Sequence, residues 1–281
     1  MGGPEATTLR ETRRGSKLRR EQGVELEGKR IVVTGCGRGM GAATVRAYVN
    51  AGARVVGMDI TDDEGRAVCE EASGGGAGDA TFVSVDVADP TRVEAAFGEA
   101  DGILGGLDAL AHPAAVQASS SATDVSIADW DRMFAVNVTG TVLTNQAAYP
   151  RLKAAGGGAI INFGSISGRR PEPGAAAYSA SKGAVHAWTR TAAGTWGDDG
   201  VRVNAVLPAI KTPMFQAAWD RSSEEERVEK RWRNMSPIAL GQEYGDPDRD
   251  LGPVMVFLAS DASRFITGQL IPVDGGQGNV H

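Results

Sequence analysis

From Lys29 onward, short runs with apolar side chains at nearly every position alternate with longer amphipathic stretches. "KRIVVTG" reads as a buried strand, followed by a helix from Gly39 to Asn50. "ARVVGMD" is a second strand with a helix over about 62–73, and "TFVSVDV" a third with a helix over 90–104. "LDALAH" is a short fourth strand, residues 129–153 one long helix, and "GGAIINFGS" a fifth strand. A helix beginning near Ala175 runs to about Trp196, "VRVNAVLP" is a sixth strand, 248–259 a helix, and "GQLIPVDGG" the last strand. Strands apolar at every position belong in a parallel sheet covered on both faces. Regular strand–helix alternation implies right-handed crossovers. The expected fold is α/β: a single doubly wound parallel sheet of about seven strands, with helices on both faces. It forms one domain over 28–281.

One segment interrupts the rhythm. Residues 212–245 lie between the sixth strand and the next helix, with Phe215 and Trp219 one turn apart and the charge run "SSEEERVEKRWR" behind them. In an open α/β sheet such an insertion lies over the carboxyl ends of the strands, so a mobile lid over a ligand is expected. An interface helix pair is the alternative. Met214, Phe215 and Trp219 hint at an apolar or ring-shaped substrate.

Composition narrows the function classes. The 281-residue chain carries a net charge of −6, which argues against nucleic acid as the main partner. No apolar run approaches a membrane span, and no signal peptide is visible. Its two cysteines, Cys36 and Cys69, suit reduced thiols in the cytoplasm rather than a disulfide framework. Residues 1–27 differ from the rest: Arg10, Arg13, Arg14, Lys17, Arg19 and Arg20 stand among few apolar residues. A disordered basic arm is expected there, with a helix packed on a partner subunit as the alternative. No metal site is expected.

"VVTGCGRGMGAA" follows the first strand and opens the first helix. Gly35, Gly39 and Gly41 allow a tight turn and bring backbone N–H groups to a phosphate at the helix N-terminus. In that context the turn points to a dinucleotide. Asp59 ends the second strand, where a carboxylate accepts hydrogen bonds from both ribose hydroxyls and repels a 2′-phosphate. Arg38, inside the turn, would attract that phosphate. NAD is favoured over NADP, with NADP kept open. Met40 and Ile60, beside these residues, complete the nucleotide contacts expected here.

In "AAAYSASKGAVHAW", Tyr178 and Lys182 stand one helical turn apart and share a face, which fits either an amphipathic pair on a solvated surface or a phenol kept acidic by a cation. An ammonium about 5 Å from a phenol, at an effective dielectric near about 20, favours phenolate by roughly 3 kcal/mol. That is about two pKa units, and the positive ring of an oxidised nicotinamide would add to the pull, bringing the phenol to about 7 to 8, a range that suits general acid–base catalysis.

These motifs occur in order, and together the chain from about Gly28 to Gly276 resembles the short-chain dehydrogenase/reductase family, whose fold is Rossmann-like. The glycine spacing of Gly35, Gly39 and Gly41 after Thr34 is similar to that family's. Asp86 and Val87 look like its adenine contact. "NVTG" resembles the segment with its catalytic asparagine, here Asn137. Ser165 lies thirteen residues before Tyr178, as in the family, and "VDGG" resembles its C-terminal signature. The resemblance implies hydride transfer between a nicotinamide cofactor and a secondary alcohol or ketone. It assigns catalysis to Asn137, Ser165, Tyr178 and Lys182. Tyr178 moves the proton, Ser165 holds the substrate oxygen, Lys182 lowers the phenol pKa and grips the nicotinamide ribose, and Asn137 holds a relay water. It also implies a homotetramer built by pairing the two long helices.

Two stretches depart from the family pattern. The fourth strand ends in "AHPAA" where the family has Asn-Asn-Ala-Gly. There His112 is expected either to contact the cofactor or central helix, or simply to close the strand. After the sixth strand, Pro208 is followed by Ala209, and Thr212, expected on the nicotinamide amide, comes one residue early. A non-redox enzyme of lyase or epimerase type, or a non-catalytic dinucleotide-binding regulator, are the alternatives these departures leave.

Overall fold

The computed structural model describes residues 26–278. The strands are β1 (Arg30–Thr34), β2 (Arg54–Asp59), β3 (Asp79–Ser84), β4 (Ala109–His112), β5 (Gly158–Phe163), β6 (Val201–Pro208) and β7 (Leu270–Val273). They form one seven-stranded sheet in the order β3-β2-β1-β4-β5-β6-β7, and every neighbouring pair is parallel. Strand order reverses between β1 and β4, so a crevice opens there at the carboxyl ends.

The helices are α1 (Gly39–Asn50), α2 (Asp62–Gly75), α3 (Pro90–Leu104), α4 (Ile127–Met133), α5 (Gly140–Ala154), α6 (Ala176–Trp196), α7 (Pro213–Asp220), α8 (Glu224–Lys230) and α9 (Gly252–Ala259). Alternation along the strands divides the core in two. Ile31, Val33, Val55, Ala111 and Ile161 pack with α1, α2 and α9 on one face. Val32, Val56, Leu110 and Ile160 pack with α3, α5 and α6 on the other. Both faces are therefore dry, which is why the strands read as unbroken apolar runs. Local signals set the helix ends. Asp89 accepts from the amides of Thr91 and Arg92 at 2.8 and 3.1 Å, Pro90 follows it, and Gly105 closes α3 at φ 74°.

Several boundaries differ from the sequence reading. The long helix is α4 and α5 joined through a π-helical turn, Phe134–Thr139. The helix expected over 248–259 likewise opens with a π-helical turn, Pro247–Leu251, before α9. The third strand begins earlier and stops at Ser84, and the last spans only four residues. Leu26 is fully buried in the core, and its amide donates to the Ala51 carbonyl at 2.8 Å, so the folded part already includes residues assigned to the basic arm. The arm's six basic residues lie outside the described residues. Among the described residues no helix is long and apolar enough to cross a membrane, and no group of three or more His, Cys, Asp or Glu side chains is placed to hold a metal.

Candidate active site

Because the strands are parallel, their ends converge on one edge, and that edge gathers the residues singled out in the sequence. Gly35 follows β1, Asp59 ends β2, Asp86 follows β3, His112 ends β4, Ser165 follows β5 and Pro208 ends β6. The glycine turn is tight enough that larger residues do not fit. A Cβ on Gly41 would stand 1.8 Å from the Gly35 carbonyl oxygen, and one on Gly35, at φ +61°, would stand 2.7 Å from Ala114 Cα across the crevice. α1 then starts with no acidic residue in its first turn and no side-chain cap, which leaves its amides for an anion. This cradle, with Met40 half-buried and Arg38 exposed beside it, fits a dinucleotide phosphate.

Asp59 is held firmly. Its Oδ2 accepts from the Gly37 amide at 2.9 Å and its Oδ1 from the Thr61 amide at 3.0 Å. Ile60 beside it is exposed. Asp86 Oδ1 accepts from the Ala88 amide at 3.0 Å, and Val87 is buried in the core. Thr212 caps α7, its Oγ1 accepting from the Phe215 amide at 3.1 Å, and it lies over the glycine turn. A Cβ on Gly39 would meet Pro213 Cδ at 3.6 Å and Thr212 Cβ at 3.7 Å. The inserted segment thus starts against the turn and returns at its base, where Lys211 N–H donates to Gly245 O at 2.9 Å and Gly245 N–H to Ala209 O at 3.0 Å. Between these ends Phe215 packs on Tyr244 at 4.7 Å and on Trp219 at 5.8 Å, centroid to centroid.

Tyr178 and Lys182 lie on the first turns of α6 and share a face. Lys182 Nζ stands 5.6 Å from the centre of the Tyr178 ring and donates to the Phe163 carbonyl at 2.7 Å. The Ser165 hydroxyl faces the Tyr178 phenol. Without cofactor, the electrostatics at the phenol run opposite to the expected lowering by Lys182. Burial pushes the phenol above its ordinary value, with the Ser165 hydroxyl opposing it. The physical reason is that Lys182 is itself 3% exposed. Burial pushes its pKa down to about 8, and its ammonium is committed to a backbone carbonyl rather than to the phenol oxygen.

Asn137 sits within the π-helical turn, almost fully buried. Its Oδ1 accepts from the Val116 amide at 2.8 Å, and its Nδ2 donates to Val116 O at 2.9 Å and to Ser181 Oγ at 3.1 Å. Ser181 in turn donates to the Tyr178 carbonyl at 2.8 Å. Both amide donors are used, so the side chain clamps the start of α6 to the loop after β4. His112 makes one of its expected contacts, the one with the central helix, α5. It is 2% exposed, and its Nδ1 lies 2.8 Å from Thr34 Oγ1 and 3.0 Å from Thr144 Oγ1, so it ties β1 to the central helix behind the cofactor wall. Burial, then Lys182, pushes its pKa down to about 3. Its Nε2 is buried with no hydrogen-bond partner.

Sequence reasoning passed over Ser181 and His186. Ser181 lies inside the "YSASK" stretch, and His186 stands one turn beyond Lys182, so the spacing rule that paired Tyr178 with Lys182 would also have found His186.

Known proteins match this arrangement along almost its full length. A family model described as enoyl-(acyl carrier protein) reductase matches residues 35–277. The meso-2,3-butanediol dehydrogenase of Serratia marcescens is 37% identical over 253 residues, covering 90% of this chain and 96% of its own. The 3-alpha-(or 20-beta)-hydroxysteroid dehydrogenase of Mycobacterium tuberculosis is 36% identical, covering 89% and 90%. A solved short-chain type dehydrogenase/reductase from Mycobacterium marinum superposes with a TM-score of 0.82 at 31% identity, covering 90% of this chain and 97% of that one. By sheet order, site and sequence alike, this chain belongs to the short-chain dehydrogenase/reductase family of oxidoreductases, which use a nicotinamide cofactor.

Proposed function

We propose that the protein is an NAD-dependent dehydrogenase acting between a secondary alcohol and its ketone, with Tyr178 as the proton carrier. One observation carries the reading: the Ser165 hydroxyl faces the Tyr178 phenol beside a buried lysine, at the sheet edge that also holds the glycine turn. A bound nicotinamide dinucleotide supplies or accepts the hydride. The chain's own residues do the rest. The glycine turn and the open N-terminus of α1 receive the pyrophosphate, and Asp59 receives the adenosine ribose hydroxyls. Asp59 is fixed by two backbone amides, so it cannot turn away from a 2′-phosphate, and this supports NAD over NADP.

Ser165 donates a hydrogen bond to the substrate oxygen and holds it near the phenol. A phenol raised above its ordinary value is protonated at neutral pH, ready to donate to a forming alkoxide. Ketone reduction therefore runs near neutral pH, and alcohol oxidation gains as pH rises. Lys182 steadies the negative charge when the phenol ionises, and Asn137 keeps Tyr178 in register through Ser181. Phe215, Trp219 and Tyr244 pack together in the segment that starts over the glycine turn, and they suit an apolar or ring-bearing secondary alcohol. A homotetramer paired along α4–α5 and α6 and a cytoplasmic setting, which suits the two free thiols, complete the reading. The test is near-ultraviolet absorbance of reduced nicotinamide, with NAD and NADP in parallel, across vicinal diols, cyclic alcohols and the matching ketones. Turnover of a secondary alcohol with NAD preferred is expected. Binding of NAD without turnover of any of these substrates refutes it.

A further inference from the structure

The proposed chemistry makes no use of His186, yet the residue is 3% exposed and follows Tyr178 and Lys182 along one face of α6. The loop that carries Ser165 is folded around its ring. A Cβ on Gly164 would stand 2.5 Å from His186 Nε2, and one on Gly168 would stand 2.8 Å from Cε1, so the imidazole fills the space these two glycines leave. Between them the Ser165 amide donates to His186 Nε2 at 3.3 Å. The sheet accounts for why that acceptor is needed. Gly164 N–H makes a ladder-like bond to the Val206 carbonyl at 2.9 Å, and Ser165 carries the next amide, where the chain turns away from β6. Even a part-buried amide left without an acceptor carries a cost. On the side-chain side, Ser165 Oγ accepts from the Ser167 amide at 3.1 Å and meets Tyr178.

We propose that His186 is a positioning residue: by accepting the Ser165 amide hydrogen it fixes the Ser165 hydroxyl at the phenol of Tyr178. The inference rests on the dehydrogenase reading of Ser165 and Tyr178. An acceptor nitrogen must be unprotonated. Burial, with Lys182, Arg190 and Arg169 facing the ring, holds the imidazole neutral and its pKa down to about 4. Nε2 as acceptor leaves the proton on Nδ1.

Two substitutions separate the acceptor from the volume. His186→Leu fills the space without an acceptor, and His186→Gln restores one. In the cofactor-free protein, hydrogen exchange at the Ser165 amide should quicken about tenfold in the leucine variant and stay near wild type in the glutamine variant. With cofactor and a turned-over alcohol, the leucine variant should lose roughly ten- to a hundredfold in kcat, with KM and cofactor Kd within about threefold, and glutamine should recover most of the loss. Equal losses in both variants, or no change in either readout for leucine, overturn the proposal. Should the leucine variant not fold, nitrogen NMR of the wild-type imidazole decides: an unprotonated Nε2 supports the clamp and a protonated one overturns it. Wild-type protein that turns over no alcohol or ketone overturns the dehydrogenase reading instead, and the exchange measurement still judges the clamp.

Discussion

Replacing Lys182 with methionine should make the fold more stable while abolishing turnover. The amine is 3% exposed, and its pKa is pushed from 10.5 to about 8 by burial. Below about pH 8 both the folded and the unfolded chain hold the proton, and the fold carries the full cost of a buried ammonium. Between about pH 8 and 10.5 the unfolded chain binds more protons than the fold, so the free energy of unfolding rises with pH. The cost at neutral pH is about 3 kcal/mol, at roughly 1.4 kcal/mol for each pKa unit. Methionine has a similar unbranched length and no charge, but it forfeits the hydrogen bond to the Phe163 carbonyl, a loss of about 1 to 2 kcal/mol. The variant should therefore gain about 1 to 2 kcal/mol at about pH 7, an advantage that falls by about 2 kcal/mol by about pH 9.5 as wild type sheds its proton. Urea unfolding followed by tryptophan fluorescence, on cofactor-free protein at one fixed concentration, measures both. A wild-type-to-variant difference that stays flat across that pH range would show that the ammonium is not held at a cost, and the account of Lys182 would fail.

Tyr178→Phe should remove turnover while leaving NAD affinity within about threefold, read by steady-state absorbance and calorimetric titration; wild-type turnover in that variant would exclude the phenol as proton carrier. Gly41→Ala drives a methyl group into the Gly35 carbonyl, so cofactor binding should weaken by at least about tenfold, and an unchanged Kd in a fluorescence titration would contradict the phosphate cradle. Asp59→Asn should narrow or reverse the preference for NAD over NADP, measured as the ratio of kcat/KM values, because it removes the charge that opposes a 2′-phosphate. A ratio that does not move would take Asp59 out of the cofactor site.

What the sequence reveals here depends on whether the cause is local. α3 was legible to the residue because Asp89, Pro90 and Gly105 mark its ends. The sheet was legible because strands dry on both faces admit no polar alternation. The site's ring of strand ends followed from those two facts. The π-helical turn at Phe134–Thr139 was not, since "FAVNVT" keeps a helical apolar pattern and the extra residue shows only once Asn137 is seen reaching Val116 and Ser181. The upward push on Tyr178 in the cofactor-free chain was not legible for a related reason. Spacing gives the distance between phenol and amine, but burial and the Phe163 carbonyl come from β5, distant in sequence, and they decide how much charge the amine offers. Leu26 was hidden between Glu25 and Glu27, and its place in the core is set by Ala51.

The clasp formed by Ala209, Lys211 and Gly245 has an evolutionary consequence. Because the two feet of the insertion are pinned side by side, the stretch between them can lengthen, shorten or change its side chains with little disturbance to β6. Doubling the length of a closed loop costs only about 0.6 kcal/mol. Drift in what this enzyme accepts should therefore accumulate between those feet, while the strand-end machinery beneath stays fixed.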